Sequence, residues 1–117
     1  MSAAPAEHWV IAAKSLGTHI VHAGRLADAY VLLTPLLVLP EAVEAITALV
    51  ADGAQVLLVG GTDDQFWSTD GAYATGAEVV EIPGADHLMF VPGDAVRTAV
   101  VHLEVTMAVD AFLAGLG

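Results

Sequence analysis

The chain has 117 residues, 56% of them hydrophobic, which is enough for one compact core and short for two. Fourteen acidic residues against three Lys or Arg set a formal charge of −11, which repels phosphate backbones and anionic lipid surfaces and argues against a nucleic-acid partner. The absence of cysteine excludes disulfides and thiolate metal sites.

The chain opens on residues 1–7, which carry no basic cluster followed by an apolar run, so a secretory leader is not expected and a cytoplasmic location is. A first strand is predicted at Trp9-Val10-Ile11-Ala12, then a helix over residues 16–26 carrying Ile20, Val21 and Leu26. A second strand follows at Tyr30-Val31-Leu32-Leu33. The mean hydropathy of +0.70 raises the question of a membrane span. The best candidate, residues 29–39, is interrupted by Thr34 and Pro35 and ends at Pro40, well short of the ~20 apolar residues a span needs.

Residues 41–52 place Val43, Ile46, Leu49 and Val50 at helical spacing, with Pro40 before and Gly53 after as start and stop signals. A third strand is predicted at Val56-Leu57-Leu58-Val59, a helix beginning near Asp70, and a fourth strand at Val79-Val80-Glu81-Ile82. The first three strands hardly alternate, which suits strands covered on both faces of a parallel sheet. Strand and helix in alternation predict a three-layer α/β/α fold with about four parallel strands and right-handed crossovers. No linker or repeat interrupts it, so residues 1–117 are read as a single domain.

The last helix, residues 94–116, carries apolar residues on two separate stripes. Val96, Val100, Leu103 and Met107 form one, and Val101, Val105, Val109, Phe112 and Leu116 the other. Arg97 and Glu104 lie between them on one side, His102, Thr106 and Asp110 on the other. Packing on one sheet needs only one stripe. A helix wedged into the core would use both; the reading adopted is a subunit interface on the second.

Three turns carry the chemistry. The segment Ala13-Lys14-Ser15-Leu16-Gly17 follows the first strand and enters a helix, as a nucleophile elbow does, with Ala13 where the pattern usually has glycine. After the third strand comes Gly60-Gly61-Thr62-Asp63-Asp64-Gln65-Phe66-Trp67, and after the fourth Pro83-Gly84-Ala85-Asp86-His87-Leu88. Taken singly, each has an ordinary structural reading. A serine two residues before a glycine is common, Asp63 and Asp64 suit strand termination or capping of the next helix, and loop histidines are often merely solvated. Together they place a serine, an acid and a histidine, in that order, after successive strands of one sheet end.

With Leu33-Thr34-Pro35-Leu36-Leu37, these turns resemble those of the α/β-hydrolase superfamily, in particular small dienelactone-hydrolase-like proteins. The likeness runs over nearly the whole chain. It implies a serine hydrolase, esterase-like, acting on a small acyl substrate without a cofactor or metal. Gly-x-x-Asp spacing from Gly61 selects Asp64 over Asp63, and the Gly-x-x-His loop selects His87. The resemblance assigns Ser15 as nucleophile, His87 as base and Asp64 as the group that orients the imidazole. The backbone N–H of Leu16 becomes one oxyanion donor.

The family's sheet begins with several strands before the nucleophile strand, so the likeness is to a truncated fold lacking those N-terminal strands. Two expectations follow. The strand at residues 9–13 becomes an exposed edge, a template for pairing with another chain. The second oxyanion donor, which the family draws from an early loop, is not supplied, and losing one donor typically lowers the rate by ~10²–10³. The alternative function is therefore a catalytically silent fragment, natural or engineered, that acts by homo-oligomerisation through residues 9–13, the C-terminal helix, or both.

Phe66, Trp67 and Tyr73 flank the proposed acid and are read as core packed against the last helices rather than as an acyl pocket. His19 and His22 stand three apart; without a third ligand they are read as surface residues rather than a metal site.

Overall fold

The computed structural model describes residues 9–116; the expectation for residues 1–7 lies outside them. Four strands form one parallel sheet in the order β1-β2-β3-β4: β1 Val10–Lys14, β2 Ala29–Leu33, β3 Gln55–Gly61 and β4 Glu78–Ile82. A 3-10 helix, Ser15–Ala23, joins β1 to β2. Three α-helices follow in chain order: α1 Pro40–Ala51, α2 Thr69–Ala74 and α3 Ala95–Ala114. The result is the expected three-layer α/β/α architecture.

The central strands are apolar along their length because both faces are covered. Tyr30, Leu32, Val56 and Leu58 point into a core shared with Val21 of the 3-10 helix, Ile46 and Leu49 of α1, and Ala72 of α2. Alternate residues Ala29, Val31, Leu57 and Val59 pack on the opposite face against Val101 and Phe112 of α3. Among the described residues β1 pairs only with β2, so it is an edge. Its half-buried side, Ile11 and Ala13, packs against the first core, while Val10, Ala12 and Lys14 on the α3 side remain exposed.

Two local expectations are corrected. The stretch predicted as an α-helix over residues 16–26 is a 3-10 helix ending at Ala23, where Gly24 turns out at φ 82°. Thr18 Oγ1 donates to the Ser15 carbonyl at 2.5 Å, competing for the oxygen that an α-helix would offer to residue 19. Neither Asp63 nor Asp64 caps α2. Ser68 does so, its Oγ accepting the Gly71 N–H at 3.0 Å.

Of the two stripes on α3, Val101, Val105, Val109, Phe112 and Leu116 face the sheet. The other stripe, Val96, Val100, Leu103 and Met107, is exposed. The helix is therefore not wedged into the core. Among the described residues, no helix is long and apolar enough to cross a membrane.

Candidate active site

Among the described residues, three other than glycine have positive φ: Ser15 at 52°, Thr34 at 48° and Met89 at 61°. Ser15 and Thr34 immediately follow β1 and β2, and Met89 lies in the loop after β4, so all three sit where the chain leaves the carboxyl end of the sheet. Side chains in this region are strained, and such strain gathers at functional sites. At Ser15 the strained residue stands where β1 passes directly into the 3-10 helix. Gly17 is less constrained than the motif suggests. A Cβ there would meet the Ala13 Cβ at 3.8 Å, an ordinary contact.

The turns after β3 and β4 are fastened to each other through the backbone. The N–H groups of Thr62 and Asp63 donate to the carbonyls of Ile82 and Ala85 at 3.1 and 3.0 Å, and the Gly84 N–H donates to Thr62 Oγ1 at 2.8 Å. Glycine is required at both positions that end β3. A Cβ on Gly60 would enter the Trp67 ring at 2.0 Å, and one on Gly61 would lie 2.1 Å from the Ala85 carbonyl oxygen.

Within this frame Asp64 turns inward and Asp63 outward. Asp63 is exposed, whereas the Asp64 side chain is 0% exposed. A buried carboxylate is costly unless its oxygens are hydrogen-bonded, and both Asp64 oxygens have partners. Oδ1 accepts the Phe66 N–H at 2.8 Å, and Oδ2 lies 2.7 Å from His87 Nδ1.

His87 sits in a loop anchored by buried Ala85 and Met89. Asp86 locks the loop: its Oδ1 accepts the N–H groups of Leu88 and Phe90, each at 2.9 Å, and its own N–H donates to the Phe90 carbonyl at 2.9 Å. Sequence reasoning passed over Asp86; the signal available was an aspartate positioned to bond its own backbone two residues on. The Phe66 ring stands edge-on to the imidazole, centroids 5.0 Å apart.

The other imidazole nitrogen meets the serine. Ser15 Oγ lies 2.6 Å from His87 Nε2, so hydroxyl, imidazole and carboxylate form one continuous relay. With Asp64 accepting from Nδ1–H, Nε2 is left as the acceptor for the Ser15 proton. The His87 side chain is 24% exposed, open on one side and enclosed on the other. Leu16 is the second residue of the 3-10 helix, in the first turn, where N–H groups have no intrahelical acceptor.

Of the three aromatic residues read as core, only Trp67 is buried; it packs on the face covered by α1 and α2, not against the last helix, and its Nε1 donates to Glu81 Oε2 at 2.8 Å. Tyr73 is 63% exposed, and Phe66 lies against His87. The His19 and His22 rings are neighbours at 5.4 Å. Among the described residues, no group of three or more His, Asp or Glu is placed to hold a metal ion.

Compared with protein-family models, curated proteins and solved structures, the chain matches none of them. The class defined by fold and geometry is thus a parallel α/β protein with a Ser-His-Asp relay at the carboxyl end of its sheet.

Proposed function

We propose that the chain is a serine hydrolase of the α/β-hydrolase type, esterase-like, acting on a small acyl substrate. The observation that carries this reading is the relay of 2.6 and 2.7 Å through His87, built on a serine at φ 52°. Strand termination requires neither a fully buried aspartate nor a strained serine.

In this reading Ser15 Oγ attacks the acyl carbon as its proton passes to His87 Nε2, and Asp64 stabilises the imidazolium. The oxyanion that forms accepts from the Leu16 N–H. As the tetrahedral intermediate collapses, His87 returns the proton to the leaving alcohol and the acyl group stays on Ser15. Water, deprotonated by the same imidazole, then adds to the acyl carbon, and the acid leaves as the bond to Ser15 Oγ breaks and His87 returns the proton to that oxygen. No cofactor or metal enters these steps.

A fluorophosphonate probe tests the assignment. The expected result is stoichiometric labelling of the native protein that Ser15→Ala abolishes; a native protein that takes no label refutes it.

The second reading is assembly without catalysis. The exposed outer stripe of α3 and the open edge of β1 favour it. The two readings exclude each other on catalysis, which probe labelling of Ser15 decides; homo-oligomerisation is common to both.

A further inference from the structure

α3 packs on β3 and β4 and does not cover β1. The uncovered flank leaves a groove of about 370 Å³ between the carboxyl ends of β1 and β2, the His87 loop and α3. That volume falls at the small end of the range for ligand sites, roughly 300–1,000 Å³. Its wall is mainly apolar: Leu33 from β2, Leu88, Met89 and Phe90 from the loop, and Val105 from α3. His102 and Thr106 complete the α3 side, with the His102 ring 5.7 Å from Phe90.

Its position ties the groove to the relay. Lys14, which also lines it, immediately precedes Ser15, and Leu88 immediately follows His87. The chain neighbours of nucleophile and base thus both border the groove, while Ser15 and His87 themselves stand just outside its lining. On the other side of Leu88 lies a smaller hollow of about 210 Å³, lined by Asp63, Gln65, Asp86 and His87. Leu88 is common to both linings, so an apolar and a polar recess meet beside the base, and an ester reaching the relay from them has one preferred orientation.

We propose that the groove binds the acyl limb of the substrate, and that the substrates are neutral esters of straight-chain, medium-length acids with a small polar alcohol. This inference rests on the serine hydrolase reading and adds the substrate class to it. A short acyl group leaves the groove wall wet. A longer one buries methylenes against Leu33, Met89 and Val105, each contributing about fourfold in transition-state binding.

The test compares p-nitrophenyl acetate with p-nitrophenyl hexanoate. The wild-type chain is expected to favour hexanoate in kcat/KM by about tenfold or more. Thr106→Trp, which fills the groove from an exposed position on α3, is expected to lower the hexanoate-to-acetate ratio at least about tenfold at an unchanged thermal midpoint. Val100→Trp, on the outer side of the same helix, leaves the ratio where it was. A wild-type ratio near one, or a ratio unmoved by Thr106→Trp, overturns the acyl groove while the hydrolase reading survives. If Thr106→Trp instead changes only the molecular mass in solution, the groove is a contact between copies and the proposal fails. If fluorophosphonate does not label Ser15, both readings fall together, and the absence of labelling identifies that case.

Discussion

Gly61 at the end of β3 and Ala85 in the loop after β4 touch so closely that a Cβ on the glycine would lie 2.1 Å from the Ala85 carbonyl oxygen. The obstacle is backbone, and Ala85 is itself fully buried, so neither side has room to yield. This contact holds the turn bearing Asp64 against the loop bearing His87. Gly61→Ala is expected to cost on the order of 3 kcal/mol in chemical denaturation and to slow probe labelling of Ser15 in the molecules that remain folded. Gly17→Ala, which meets only an ordinary contact at 3.8 Å, is expected to stay within about 0.5 kcal/mol of the wild type. Equal effects at the two glycines would disprove the close approach.

Ser15 sets reactivity against stability. Its φ of 52° is one that a side chain adopts at a cost of roughly 1–2 kcal/mol and that glycine adopts freely. Ser15→Ala and Ser15→Gly both remove the hydroxyl and its hydrogen bond to His87, but only glycine relieves the backbone. Ser15→Gly is therefore expected to be more stable than Ser15→Ala by about 1 kcal/mol, with neither variant labelled by the probe. Equal stabilities by urea denaturation would mean that the turn is unstrained.

The sheet was legible in the sequence because burial on both faces leaves an unmistakable trace: β2 and most of β3 are unbroken apolar runs. The order of Ser15, Asp64 and His87 was legible because each falls just past a strand in the same register. What was not legible depends on contacts across the sequence. Nothing local says that Thr18 competes for the Ser15 carbonyl or that Trp67 folds over Gly60. Tyr73 was misread as core because α2, where it sits, is short and presents its buried side through Ala72.

Glu81 gives the fold an acid-sensitive point. Its carboxylate accepts from Thr69 Oγ1 and from Trp67 Nε1, which hold its pKa below the ordinary glutamate value despite the opposing effect of partial burial. A pKa depressed in the folded state stabilises the protein above the unfolded-state value, and this contribution is lost as pH falls through the folded one. The stability gap between wild type and Glu81→Gln is therefore expected to be widest near neutral pH and to close on acidification below the usual carboxylate range. Urea denaturation at pH 7 and at pH 3 measures it. A gap independent of pH would mean that shape, not charge, is what Trp67 and Thr69 recognise.

The outer stripe of α3 bears on assembly. Val96, Leu103 and Met107 are 77%, 57% and 62% exposed on one helix face, a concentration of apolar surface that soluble monomers seldom leave open. Against association stands the formal charge of −11 on each copy, a repulsion that salt screens over about 10 Å at 0.1 M. Apolar contact is not weakened by salt, so the balance shifts towards the oligomer as ionic strength rises. Light scattering at micromolar concentration is expected to give a mass above that of one chain, and more so at 0.5 M than at 0.05 M salt. Leu103→Gln with Met107→Gln removes the apolar surface without adding charge, and the double variant is expected to be monomeric at both salts with its unfolding midpoint little changed, since neither side chain is buried. If the variant stays oligomeric, the contact runs instead through the open edge of β1, where Val10→Pro would remove a donor from the exposed strand without touching α3. A wild-type monomer at both salts would leave the stripe as mere surface and end the case for self-association.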